Sequence, residues 1–172
     1  MKHLILAAAT SLLATPVAAT QLTGTFDSID GGTFAIEDWR GQPVLVVNTA
    51  SLCGFTHQYG DLQELQDTYA DAGLVVIAVP SDDFRQELGS EDEVKDFCEV
   101  NFGLTIPMTT ITPVRGRNAH PFYQSLRAAG FTPNWNFNKV LLSPQGDLVG
   151  TWRSTTSPLS HKITREIEAL LN

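Results

Sequence analysis

Two short runs constrain this chain more than anything else in it. "VLVVN" (Val44–Asn48) and "LVVIAVP" (Leu74–Pro80) are apolar at successive positions, with no alternation of apolar and polar residues. A strand written this way is covered on both faces, as in the middle of a parallel or mixed sheet. Between the runs, Leu62, Leu65 and Tyr69 recur at helical spacing, predicting a helix over about Tyr59–Ala70 that Gly73 stops. Strand, helix, strand with a right-handed crossover makes the two runs parallel neighbours. The chain is therefore α/β, with helices against a buried sheet.

The remaining segments fill in that plan. "GTFDSIDGGTFAIED" reads as an N-terminal β-hairpin turning at Asp30-Gly31-Gly32. Ser90-Glu91-Asp92-Glu93 is a capping box that opens a helix to about Asn101, and Gly103 ends it. "TIPMTTI" is a short extended piece broken by Pro107, and "NAHPFYQSLRAA" a further short helix. "KVLLSPQGDLVGTWR" reads as a hairpin turning at Pro144 and Gly146. Ser157-Pro158 is expected to open a last helix with Leu159, Ile163, Ile167 and Leu170 inward.

The first residues are of another kind. Met1-Lys2-His3 is basic, Leu4–Leu13 is apolar, and "ATPVAA" supplies small residues at a cleavage position. Residues 1–19 read as a secretory signal peptide cut after Ala19, leaving one domain over 20–172 that is exported to the periplasm or secreted. The apolar run is too short to span a bilayer, so no stable membrane insertion is expected. With 172 residues and a formal charge of −8, the chain can bury a sizeable core and is a poor partner for nucleic acid.

Ligand and reactive sites in such sheets lie beyond the carboxyl ends of the strands. There the first buried run delivers Cys53, in "NTASLCGFT", just before a helix. Unpaired N–H groups at a helix start favour a thiolate, and an accessible thiolate is what peroxides oxidise. The segment Cys53-Gly54-Phe55-Thr56 lacks the second cysteine of a Cys-x-x-Cys pair, so adjacent dithiol exchange is not available. The only other cysteine is Cys98. In an oxidising compartment a structural disulfide between the two is one reading. Cys98 also falls at helical spacing with Val94, so inward packing as a small apolar residue is another. The four histidines show no metal-ligand spacing, and no Gly-rich phosphate loop or Gly-x-Ser-x-Gly occurs.

Three segments carry a family resemblance: "NTASLCGFTHQY", "PSDDFRQELGS" and "NWNFNKVLL". In this order and spacing the chain resembles the glutathione peroxidase family, over roughly Phe26–Leu171. The resemblance implies a thioredoxin-like fold with a central mixed sheet flanked by helices. It implies a peroxidase with an antioxidant role in oxidative stress, no bound cofactor, a peroxide substrate, and glutathione or a thioredoxin-like protein as reductant. It places the peroxidatic residue on Cys53 and the active-site donors on Gln86, Trp135 and Asn136. Their amide and indole N–H groups could hold a sulfur anion and stabilise charge on the leaving oxygen. "DFCEVNFG" resembles the context of the resolving cysteine in thioredoxin-dependent members, which places that role on Cys98. The short connection from Leu126 to Trp135 implies a monomer.

Two departures from the family pattern bear on the site. Ser81 stands where a cysteine often occurs, and Asp82 and Asp83 bring negative charge that would oppose a thiolate if close to it. His57 lies near Cys53 in sequence, but the family pattern uses no histidine there. The competing reading is an exported redox sensor or binding domain whose Cys53–Cys98 bond is structural.

Overall fold

The computed structural model describes residues 21–172. The signal-peptide reading falls outside these residues. The elements run β1 (Thr25–Asp27), β2 (Thr33–Ala35), a 3-10 turn (Ile36–Trp39), β3 (Val44–Thr49), α1 (Gln58–Tyr69), β4 (Val75–Pro80) and α2 (Glu91–Phe102). They continue through α3 (Pro121–Ala128), β5 (Asn138–Leu142) and β6 (Leu148–Trp152) to α4 (His161–Leu171).

The main sheet has the order β4-β3-β5-β6. β3 pairs parallel with β4, Val44 against Val75, and antiparallel with β5, Val44 against Leu142. The sheet is thus mixed, with β3 at its centre. All six residues of β3 and all six of β4 are buried, as their unbroken apolar composition requires. One face of the sheet (Leu45, Val47, Val76, Ala78, Leu141) packs on α1, α2 and α4, through residues such as Leu62, Val94 and Ile163. The other (Val46, Ile77, Val79, Val140) packs on α3 and the N-terminal hairpin, through Phe122, Leu126 and Phe26. Each fully buried Val or Leu of this set contributes about 1.5–3 kcal/mol relative to exposure.

The caps explain where the helices stop and start. Ser90 accepts the Glu93 N–H while the Glu93 carboxylate accepts the Gly89 N–H at 3.1 Å, which opens α2. Gly103 closes it in the left-handed conformation, φ 58°, that a Cβ would make costly. α3 begins with Pro121 at its first position, capped by the His120 ring accepting the Phe122 N–H. That ring also bonds the Thr25 carbonyl and stacks on Phe26 with centroids 4.0 Å apart, so His120 ties α3 to the hairpin. The "TIPMTTI" segment runs along the free edge of β4, where Ala78 N–H donates to Pro107 and Thr109 N–H to Ala78. The last helix starts later than its proline suggests. Ser157–Ser160 forms a turn in which the Ser157 hydroxyl accepts the Leu159 N–H, and α4 proper begins at His161.

Candidate active site

The carboxyl ends of β3 and β4 and the amino end of β5 meet at one end of the sheet. Beyond β3, residues 50–57 make a succession of turns before α1: Thr56 N–H donates to Cys53, Gln58 to Phe55 and Tyr59 to Thr56. Cys53 lies within these turns, ahead of the first helical residue, Gln58. Its side chain is 4% exposed, while Leu52 beside it is 60% exposed and Gly54 is exposed. The thiol is therefore buried, in the same apolar cluster as Ala50 and Tyr59, rather than accessible as expected from the sequence. Cys53 and Cys98 are both free thiols.

The loop after β4 brings Gln86 to this turn. The Leu52 N–H donates to the Gln86 carbonyl at 2.8 Å, and the Ser51 N–H donates to Glu87 Oε1 at 2.9 Å. The loop ahead of β5 brings Trp135 and Asn136. Asn136 Nδ2 donates to Gln86 Oε1 at 3.2 Å, so two of the expected donors bond each other. Trp135, 39% exposed, rests on Phe84 with ring centroids 5.4 Å apart, and the Arg115 guanidinium sits over the same Phe84 ring. Gln86 is thus bonded to the turn that carries Cys53 and Asn136 to Gln86, while Trp135 is held beside them by Phe84 and Asn48. Among the described residues no hydrogen bond ends on the Cys53 sulfur itself.

The supports beneath these residues were not read from the sequence. Asn48, on β3, donates to the Trp135 carbonyl at 3.0 Å, and its own carbonyl and Oδ1 accept the Phe137 and Asn138 N–H groups. Ser154 donates to the Asn136 carbonyl at 2.5 Å. Arg85 and Phe137 have φ of 56° and 59°, a conformation that costs a non-glycine residue about 1–3 kcal/mol. Each is the chain neighbour of an expected donor, Gln86 and Asn136. The strain is concentrated where side chains are being aimed.

Below the donors lies an ammonium. Lys139, on β5, is fully buried and donates to the Gln58 side-chain oxygen and to the Thr156 carbonyl at 2.7 Å. Burial pulls its pKa down from 10.5 to about 7, against the opposing charge of Asp61. A lysine inside "NKVLL" was the available signal, since a charged residue within a buried strand needs several partners.

The acidic loop residues are turned to structural work. The Asp83 carboxylate accepts the Val114 and Arg115 N–H groups at 2.6 and 2.9 Å, and Asp82 accepts the Glu87 N–H at 3.2 Å. His57 is exposed at the start of α1 and makes no capping bond.

Cys98 sits on the inner face of α2, 0% exposed, facing Tyr59 of α1. Burial, and next to it the charges of Glu87 and Glu99, push its thiol up to about 12, while the Tyr59 hydroxyl works the other way. It also forms part of the wall of a 280 Å³ cleft shared with Ile29, Lys95, Leu104 and Met108. Among the described residues no helix is long and apolar enough to cross a membrane, and no cluster of His, Cys, Asp and Glu is arranged to hold a metal.

A four-stranded mixed sheet that displays a thiol beyond its central strand, with helices on both faces, defines a thioredoxin-like protein. The fold matches that of a thiol:disulfide interchange protein of the thioredoxin family from Chlorobium tepidum, with a TM-score of 0.71 at 15% identity over 92% of this chain and 100% of that one. Within that class, the glutathione peroxidase family model matches residues 22–127. A glutathione peroxidase homolog BsaA of Halalkalibacterium halodurans is 42% identical over 149 residues, 83% of this chain and 94% of the relative. A hydroperoxy fatty acid reductase of Synechocystis is 38% identical over 159 residues, 84% of this chain and 92% of the relative. The chain belongs to the glutathione peroxidase family and is a peroxidase, an oxidoreductase.

Proposed function

We propose that this chain is an exported thiol peroxidase in which Cys53 is the peroxidatic residue, Cys98 resolves it, and Gln86, Trp135 and Asn136 supply the donors. One observation carries the reading: the loops bearing Gln86 and Asn136 bond each other and the Cys53 turn at the end of the sheet. The Cys53 thiolate attacks the distal peroxide oxygen and the O–O bond breaks. The leaving alkoxide or hydroxide takes a proton, and Cys53 becomes a sulfenic acid. Donors fixed near that oxygen stabilise the charge as it develops, and such bonds tighten as the reacting group enters. The Cys98 sulfur then attacks Cys53, expelling the sulfenic oxygen as water and leaving a disulfide that an external thiol reduces.

Two features favour the resolving role over a permanent bond. Both thiols are free, and α2 fully buries only Val94 and Cys98, its Phe97 and Phe102 being partly exposed, so it is an element that can open locally. The wall position of Cys98 in the 280 Å³ cleft leaves room beside α2 for that shift. A dithiol protein of the thioredoxin type fits an intramolecular disulfide better than glutathione does. The protein acts as a monomer on this reading. The relative named for hydroperoxy fatty acids supports organic hydroperoxides as substrates beside hydrogen peroxide.

The test is peroxide turnover with glutathione and with a thioredoxin system, for the intact protein and Cys53→Ser. The expected result is faster turnover with the dithiol system and none for the variant. Turnover by Cys53→Ser contradicts the peroxidatic assignment. Turnover with glutathione alone contradicts the dithiol route.

A further inference from the structure

Beside the four residues expected at the site, one more ionisable group is buried against the Cys53 turn. Glu87 follows Gln86 and is 8% exposed. Its Oε1 accepts two backbone N–H groups, those of Ser51 and Leu88, each at 2.9 Å. Ser51 is two residues ahead of Cys53. Its Oε2 is buried without a partner, and so are the Ser51 hydroxyl, Thr49 Oγ1, the Tyr59 hydroxyl and Asn136 Oδ1. Among the described residues no salt bridge reaches Glu87. A buried carboxyl with no cation is costly to keep, by several kcal/mol for the ionised form in order of magnitude. A merely structural tie needs only a neutral acceptor.

We propose that Glu87 is a positioning residue for the reacting thiol: its carboxyl fastens the Cys53 turn to the Gln86 loop, and its charge sets the pH at which the thiol in that turn becomes reactive. The proposal rests on Cys53 being the reacting residue. The groups that face Glu87 are Asp82 from its own loop, Tyr59 from α1, Cys98 from α2 and the Cys53 turn itself. None of them is a cation. A negative Glu87 opposes a thiolate at Cys98, and a neutral one does not. Burial raises the Glu87 pKa, while the Ser51 and Leu88 bonds pull it back. The Tyr59 hydroxyl lies within electrostatic reach of Glu87.

The test uses the Cys98→Ser protein, so that only Cys53 reports. Iodoacetamide alkylation is followed against pH, and the rate with hydrogen peroxide is measured, for Glu87, Glu87→Gln and Glu87→Ala. The glutamine keeps an acceptor for Ser51 but carries no charge. It should move the alkylation midpoint to lower pH by at least about half a unit. The alanine loses the tie as well, and should react with peroxide at least about tenfold more slowly than the glutamine variant at equal thiolate fraction. Superimposable alkylation curves for Glu87 and Glu87→Gln, or equal peroxide rates for the two variants, overturn the proposal. The underlying reading fails separately, through a Cys53 that alkylates normally but ignores peroxide.

Discussion

Cys53 follows a strand whose residues are all buried and which is hydrogen-bonded to neighbours on both sides, whereas Cys98 stands on a helix that fully buries only Cys98 and Val94 and half-buries Phe97 and Phe102. Backbone bonds tie the Cys53 turn to the Gln86 loop, and Asn48 and Ser154 brace the Asn136 loop beside it. α2 is held from outside by its Ser90 cap and by a Lys95–Asp30 ion pair at 2.6 Å that is open to solvent and so only weakly restraining. On the proposed cycle, the nucleophile is on the rigid part and its partner on the part that can let go. A Cys98 thiol held up to about 12 is a poor nucleophile in its buried position, so on the proposed cycle its attack on an oxidised Cys53 waits for α2 to shift.

The sharpest way to break this contrast is Cys98→Ser. It should eliminate the intramolecular disulfide on mass spectrometry after one equivalent of peroxide, while Cys53 still becomes oxidised. A parent protein that shows no intramolecular disulfide after the same treatment, and stops like the variant at oxidised Cys53, would remove Cys98 from the cycle. Next in size is the donor set. Asn136→Ala, which also frees Gln86 from its 3.2 Å bond, should slow the first oxidation by about 10²-fold, as when a single oxyanion donor is lost. A stopped-flow rate within a factor of two of the parent would contradict the donor role.

Smaller is the effect of pH on stability, where two buried groups pull in opposite directions. The folded protein binds fewer protons at Lys139 than the unfolded chain does between about 7 and 10.5, so stability should rise with pH in that window. Cys98 keeps its proton when folded from 9.0 up to about 12, so there stability should fall, and Tyr59 and Tyr123 add to the fall above 10.0. Denaturant unfolding should show a gain of about 2 kcal/mol from pH 7 to 9 that Lys139→Met abolishes. Cys98→Ser should soften the decline at higher pH. The smallest expected effect is Ser90→Ala. Losing the cap costs α2 about 1 kcal/mol, and should speed disulfide formation by up to about fivefold. A slower disulfide would mean that α2 need not open.

What the sequence made legible was whatever short segments determine. Both central strands, the N-terminal hairpin, the Ser90 cap, the Gly103 stop and the three motif segments stand in the structure where their residues put them. The 3-10 turn at Ile36–Trp39 and the late start of α4 were not legible, because the bonds that decide them do not follow from periodicity. The proposed site was legible as a list of residues but not as an arrangement. Asn48 reaches 87 residues to Trp135, Ser51 reaches 36 to Glu87, and Lys139 reaches 81 to Gln58. Asp83 stands out in the sequence and Glu87 does not, yet Asp83 caps a neighbouring loop at the surface while Glu87 is buried against Ser51 in the Cys53 turn. Only long-range packing separates them.

The most direct test of the rigid-nucleophile, mobile-partner account is a single-turnover time course. The reduced protein is mixed with one equivalent of hydrogen peroxide, quenched at intervals with a thiol-blocking reagent and mapped by mass spectrometry. The account predicts an early sulfenic acid on Cys53 with Cys98 still blocked as a free thiol, followed by a Cys53–Cys98 disulfide. Oxidation that begins at Cys98, or a Cys53 that remains a thiol throughout, would contradict it.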